Sequence, residues 1–205
     1  MTKRLMIFVE GDTDKLFFSL LISFLFQNAG KKEWPTFRLK IIPLDGICNA
    51  DSIIKNEIGS LENKDKFDDT ICLIYDTDAF EYQKKPPISI DRVKKISETN
   101  NCGFFEIPIE HNVEDMIVFS KKEILNYLRL PSNYIIPKDI SGLNLLKKMH
   151  KDAGKYYVKG NKSEELLKCL DYSSISKKYC HVLKPLCNYL ELGCNNNDFC
   201  KIKRK

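Results

Sequence analysis

The sequence predicts an α/β fold: a mainly parallel sheet with helices on both faces and a helical C-terminal extension. Short apolar runs lacking a helical period, at residues 5–9, 70–75 and 103–109, alternate with stretches whose apolar residues recur every three or four positions. The first run stops at Glu10-Gly11 and passes at once into a helical pattern, the opening of a βαβ unit. From Lys121 onward only helix-period stretches follow.

Residues 5–9 (Leu-Met-Ile-Phe-Val) read as a strand buried on both faces, because they are continuously apolar. Asp12 or Thr13 then caps a helix through Leu16, Phe17, Leu20, Leu21, Phe24 and Leu25. A second strand is expected at 37–44, a helix at 49–61, a third strand at 70–75 ending at Asp76, a helix at 91–99 and a fourth strand at 103–109. Pro86 and Pro87 punctuate the loop before the 91–99 helix. Helices are expected at 121–130, 141–151, 164–170 and 174–192, separated by Pro131, Pro137 and Gly160. The division is a sheet domain over 1–120 and a helical extension over 121–205 packed on it.

The chain has 205 residues, with 43% hydrophobic and 30% charged, which suits a globular core and excludes a disordered chain. The net charge is +5, of which residues 201–205 supply +4, so the body is nearly neutral and the basic tail reads first as a solvated end. No secretory leader pattern opens the chain, and the longest apolar run, 16–26, is broken by Ser19 and Ser23. A cytoplasmic protein without a membrane anchor is expected, and its eight cysteines read as reduced thiols. Cys180, Cys187 and Cys194 recur every seven residues beside His181 and Cys200, but that spacing makes a packing stripe on a helix rather than a closed zinc tetrahedron.

Chemistry concentrates where strands end. The first ends Glu10-Gly11-Asp12-Thr13-Asp14 and the third Asp76-Thr77-Asp78, while Glu110-His111-Asn112-Val113-Glu114-Asp115 follows the fourth. In an open parallel sheet these ends share one edge, so neighbouring strands would bring the acids together. Ionised carboxylates within a few ångströms repel, and a divalent cation removes that cost. Mg²⁺ prefers oxygen ligands, which makes Glu10, Asp76 and Asp78 suitable for one ion, with Asp14 or Glu114 supporting it or holding a second. Gly11 lets the backbone turn beside the ion. The bland alternative for Asp12 and Asp14 is helix capping. A D-x-D pair directly after a strand favours metal.

An E-G pair after a first strand, an acid a few residues on, and a strand ending in D-x-D together resemble the Toprim domain of topoisomerases, primases and small nucleases, over residues 3–116. Val113-Glu114-Asp115-Met116-Ile117 resembles the acidic segment of OLD-type and related phage-defence nucleases. By that resemblance Glu10 and Asp14 match the first acidic motif, Asp76 and Asp78 the central pair and Glu114 the last, with Glu110 and Asp115 close by. The resemblance implies two-metal phosphodiester hydrolysis with Mg²⁺ or Mn²⁺, Glu10 acting as base or as ligand. It also implies a DNA or RNA substrate and, for the defence type, an ATPase or sensor partner. Tyr157-Val158-Lys159-Gly160 is similar to the family's C-terminal segment, which places Lys159 where it holds a phosphate or stabilises charge at the cleaved bond.

Ala79, Phe80 and Glu81 stand where primase-type members and ribosomal RNA maturases usually carry a glycine, and the chain is too short for a topoisomerase. Two other readings compete: a D-x-D phosphatase or glycosyl transferase, and a non-catalytic interaction module whose metal site serves only to order a loop or hold a partner. His111 lies within the acidic segment, where a structural role is the simpler one. Neither nucleotide-binding glycine motif is present.

Overall fold

The computed structural model describes residues 2–29, 37–62, 66–81 and 87–192. Pro86, Cys194, Cys200 and the basic tail lie outside them. Four parallel strands form one sheet in the order β2-β1-β3-β4: β1 (Thr2–Val9), β2 (Phe37–Pro43), β3 (Phe67–Asp76) and β4 (Gly103–Ile109). The helices are α1 (Asp12–Asn28), α2 (Ala50–Gly59), α3 (Asp78–Glu81), α4 (Ile90–Thr99), α5 (Val113–Val118), α6 (Lys121–Leu128), α7 (Gly142–Asp152), α8 (Glu164–Lys168), α9 (Tyr172–Lys178) and α10 (Cys180–Tyr189). The α/β class and the parallel sheet predicted from the alternation are those observed.

Strand alternation divides the interior into two layers. Leu5, Ile7 and Val9 of β1, Cys72 and Ile74 of β3, and Ile107 and Ile109 of β4 share one core with α1 and the helices from α5 to α10. Met6 and Phe8 of β1, with Ile71 and Leu73 of β3, share the other with α2 and α4. Both faces of β1 are thus covered, which is why its sequence shows no polar alternation. The helices after Lys121 cover the same face of the sheet as α1.

Three local readings are corrected. Neither Asp12 nor Thr13 caps α1; Gly11 occupies that position without a side-chain bond. The buried face of α1 carries Phe17, Phe18, Leu21, Ile22 and Phe26, whereas Leu16, Leu20, Phe24 and Leu25 are only partly covered. The helix is apolar on nearly every side, so periodicity alone does not choose its inner face. The helix expected over 174–192 is two helices that meet at Tyr179, with Pro185 inside the second.

At the N-terminal edge of the sheet, Arg4 Nη2 and Nε grip both oxygens of Asp69, the former at 2.8 Å, and the guanidinium lies over the Phe67 ring 4.5 Å from its centre. Cys48, Cys72 and Cys169 are free thiols, while Cys180 is disulfide-bonded, a departure from the all-reduced expectation. Among the described residues no helix is long and apolar enough to cross a membrane.

Candidate functional site

The chain places β2 on one side of β1 and β3 on the other, so the strand order reverses between β1 and β3. Outside the carboxyl ends of such a pair, connections depart in opposite directions and leave a crevice, the usual ligand position in open α/β sheets. Glu10 and Asp76 stand at the two ends that form it. The Asp76 amide donates to Glu10 Oε1 at 3.1 Å. The Glu10 carbonyl accepts from Gly46 N–H at 3.0 Å, in a turn where Gly46 takes φ +107°, a conformation that suits only glycine well.

Asp76 continues the alternation of Cys72 and Ile74 and so faces α1 and α5. It is 8% exposed, and its Oδ1 accepts the Val113 amide at 3.1 Å. Burial, followed by the charges of Asp14, Glu10, Glu114 and Asp78, pushes its carboxyl up to about 9. Asp14, in the first turn of α1, is pushed up to about 7 by burial and then by Glu114 and Glu10. Glu10 is also raised, chiefly by burial, against the lowering effect of the Asp76 amide. These mutual effects mark Glu10, Asp14, Asp76 and Glu114 as one electrostatic group, gathered from three separate segments of the chain.

Glu114 is the most enclosed of them, with 0% exposure. Asn112 caps α5, accepting the Asp115 amide at 3.2 Å, so the helix begins after a three-residue link from β4 and its first turn carries Glu114. Its Oε1 meets Lys159 Nζ at 2.8 Å and, more weakly, the Tyr157 hydroxyl at 3.5 Å; its Oε2 is buried with no hydrogen-bond partner. For Lys159, burial lowers the amine's pKa, but the bond to Glu114 and the charges of Glu114, Asp14 and Asp76 outweigh it, so the ammonium form is favoured.

Asp78 lies at the rim. It begins α3, and its Oδ2 accepts from Asn112 Nδ2 at 3.3 Å. It opens onto a cleft of about 640 Å³ lined also by Glu110, His111, Asp115, Asp139 and Tyr179. Glu110 and Asp115, sequence neighbours of Glu114, do not share its position: Glu110 is exposed at this cleft, and Asp115 Oδ1 accepts the Gly142 amide at 2.6 Å.

Four further residues hold the site together, and the sequence assigned none of them that role. Thr13 Oγ1 accepts the Gly160 amide at 2.7 Å, fastening the Lys159 segment to α1. Thr77 Oγ1 accepts the His111 amide at 2.9 Å, and Thr77 N–H donates to the Ile109 carbonyl at 2.9 Å, which carries the β3–β4 pairing past the strand ends. Asn112 and Tyr157 complete the set. An Asn before an apolar run is a recognisable cap signal and would have revealed α5.

The donors are all oxygens, which suits Mg²⁺ or Mn²⁺ rather than a soft metal. The unpartnered, buried Glu114 Oε2 is an atom that such a cation would satisfy. Among the described residues, no group of three or more His, Cys, Asp or Glu side chains already stands in a metal-holding arrangement. No protein-family model, curated protein or solved structure matches the chain.

Proposed function

We propose that the protein is a metal-dependent endonuclease that hydrolyses phosphodiester bonds of DNA or RNA. The observation that carries this reading is the gathering of Glu10, Asp14, Asp76 and Glu114, from β1, α1, β3 and α5, at the point where the strand order reverses, with Asp78 at the rim. Burying so much negative charge is costly unless a cation is bound. A hard divalent ion held there would supply activation of water and neutralisation of charge at phosphorus.

In this reading Glu10, Asp14, Asp76, Asp78 and Glu114 are the ligands. Glu10, the acid nearest the Asp76 amide, orients the attacking water or binds directly. Lys159 brings the ammonium that meets the substrate phosphate. The fold class and the residue pattern support a Toprim-like, OLD-type assignment, and with it a cytoplasmic role in anti-phage defence alongside an ATPase or sensor partner.

The test is cleavage of end-labelled single- and double-stranded DNA and RNA with Mg²⁺ or Mn²⁺, comparing the parent with Glu10→Ala and Asp76→Ala. Both variants are expected to fall to the uncatalysed background while remaining folded. Parental rates in both would overturn the proposal.

A further inference from the structure

The segment bearing Lys159 is neither helix nor strand, yet its residues alternate. Tyr157 and Lys159 turn inward to Glu114, whereas Tyr156, 92% exposed, and Val158 turn outward. Both ends are fixed. The Tyr157 ring packs on His150 with centres 5.2 Å apart, Gly160 N–H is bound to Thr13, and the Val158 carbonyl accepts Ser163 Oγ at 2.7 Å. The backbone is tied at these points, whereas the lysine side chain has four rotatable bonds to carry its ammonium, and 55% of it faces solvent. Its charged end occupies one oxygen of a fully buried carboxylate whose other oxygen is unpartnered.

We propose that Lys159 is a resident counter-ion of the acidic group: its ammonium holds Glu114 until a divalent cation enters, and cation binding at Glu114 releases it to the crevice mouth, where it can meet a phosphate. This rests on the metal-dependent reading above and adds a regulated order to it. A fully buried, ionised carboxylate is costly without a counter-charge, and Lys159 supplies one to Glu114 when no metal is bound. Lysine, a compact point charge on a flexible stem, can exchange with a metal ion without moving the backbone, and it becomes available to substrate only when the metal has arrived. Lys159 is in this sense a switch between two partners, Glu114 and the polyanion.

The experiment measures acylation of individual lysine amines by a mild amine reagent and mass spectrometry, with and without saturating Mn²⁺. Mn²⁺ binding to the parent and to Lys159→Met is measured by calorimetry. Exposed Lys151, eight residues upstream, is the internal control for reagent effects. Mn²⁺ is expected to raise Lys159 labelling about tenfold while Lys151 stays constant, the scale set by losing a hydrogen bond to a charged group. Lys159→Met is expected to bind Mn²⁺ about tenfold more tightly, because no ammonium has to leave. Glu114→Gln should give the high labelling rate at Lys159 without metal. Mn²⁺ binding with unchanged Lys159 labelling overturns this inference alone. Absence of Mn²⁺ binding in both proteins overturns the metal-dependent reading together with it.

Discussion

The amide of Asp76 donates to Glu10 Oε1 at 3.1 Å, so the end of one strand uses its backbone to hold the carboxylate that terminates its neighbour. Asp76 then passes the link onward, its own Oδ1 accepting the Val113 amide at the start of α5. A β1–β3–α5 chain of hydrogen bonds therefore fixes the relative positions of Glu10, Asp76 and Glu114. One oxygen of Glu10 and one of Asp76 are used in that scaffold.

The group makes metal-free stability depend on pH in a direction opposite to that of most carboxylates. Asp76 is raised from 3.8 to about 9 and Asp14 from 3.8 to about 7, so the folded protein retains protons that the unfolded chain has released. Their contribution is complete below about pH 4 and is lost as pH rises, for Asp14 by about pH 7 and for Asp76 by about pH 9. Each such proton contributes a slope of up to about 1.4 kcal/mol per pH unit. Urea unfolding in a chelator is expected to show stability falling from pH 7 to 9 in the parent and a flatter profile in Asp76→Asn. A level profile in the parent would contradict the assigned protonation.

Gly142 begins α7 where that helix meets α5. A Cβ there would collide with the Glu114 carbonyl carbon and the Asp115 amide nitrogen, and would lie 2.6 Å from Asp115 Oδ1. Alanine normally favours a helix over glycine by about 1 kcal/mol. Here the obstacle is backbone, which no rotamer change relieves, and overpacking costs about 1–3 kcal/mol. Gly142→Ala is therefore expected to lower the urea midpoint and, by displacing α5, to weaken the Glu114–Lys159 contact, read as faster acylation of Lys159. A raised midpoint would show that the helices separate freely.

Much of this architecture is legible in the chain. β4 runs over Gly103–Ile109 as its apolar pattern predicts, and the acids at Glu10, Asp14, Asp76 and Glu114 stand out because they cluster at or soon after the ends of apolar strands. Their convergence depends on β1 lying beside β3, a pairing of residues more than sixty positions apart that no local period encodes. α5 is six residues long, too short to show a helical repeat, so the sequence marks Glu114 as a candidate ligand without showing that it stands on a helix or is the most buried of the group. The Tyr157–Lys159 inward face belongs to an irregular segment, where alternation becomes visible only once burial is known.

Arg4 and Asp69 test the sheet away from the site. Asp69 is buried, and Arg4 holds both of its oxygens near the N-terminal ends of β1 and β3. Arg4→Met leaves a buried carboxylate without its cation, a change that costs about 3–5 kcal/mol. Pairing it with Asp69→Leu removes the stranded charge and is expected to recover most of that loss, as a double-mutant cycle in urea would show. The proposed nuclease activity, per folded molecule, should be the same in the double variant as in the parent, since these residues sit at the opposite strand ends from Glu10 and Asp76. Equal destabilisation in the single and double variants would mean that the guanidinium contributes through packing on Phe67 instead.

The anchor of the Lys159 segment is equally open to test. Thr13 is buried, and its hydroxyl oxygen is the acceptor for Gly160 N–H at 2.7 Å, where Gly160 takes φ +82°. Thr13→Val keeps the shape of the side chain but removes the acceptor, leaving a backbone donor unsatisfied at a cost of about 1–3 kcal/mol. The loss falls on the junction between α1 and the segment, so local opening should exceed global unfolding. Limited trypsin digestion is expected to cut after Lys155, Lys159 and Lys162 faster in Thr13→Val than in the parent. Thr13→Ser, which keeps the oxygen, should cut at close to the parental rate. Equal cutting in Thr13→Val and the parent would mean that the contacts of Tyr157 with His150, Val158 with Ser163 and Lys159 with Glu114 hold the segment down without Thr13.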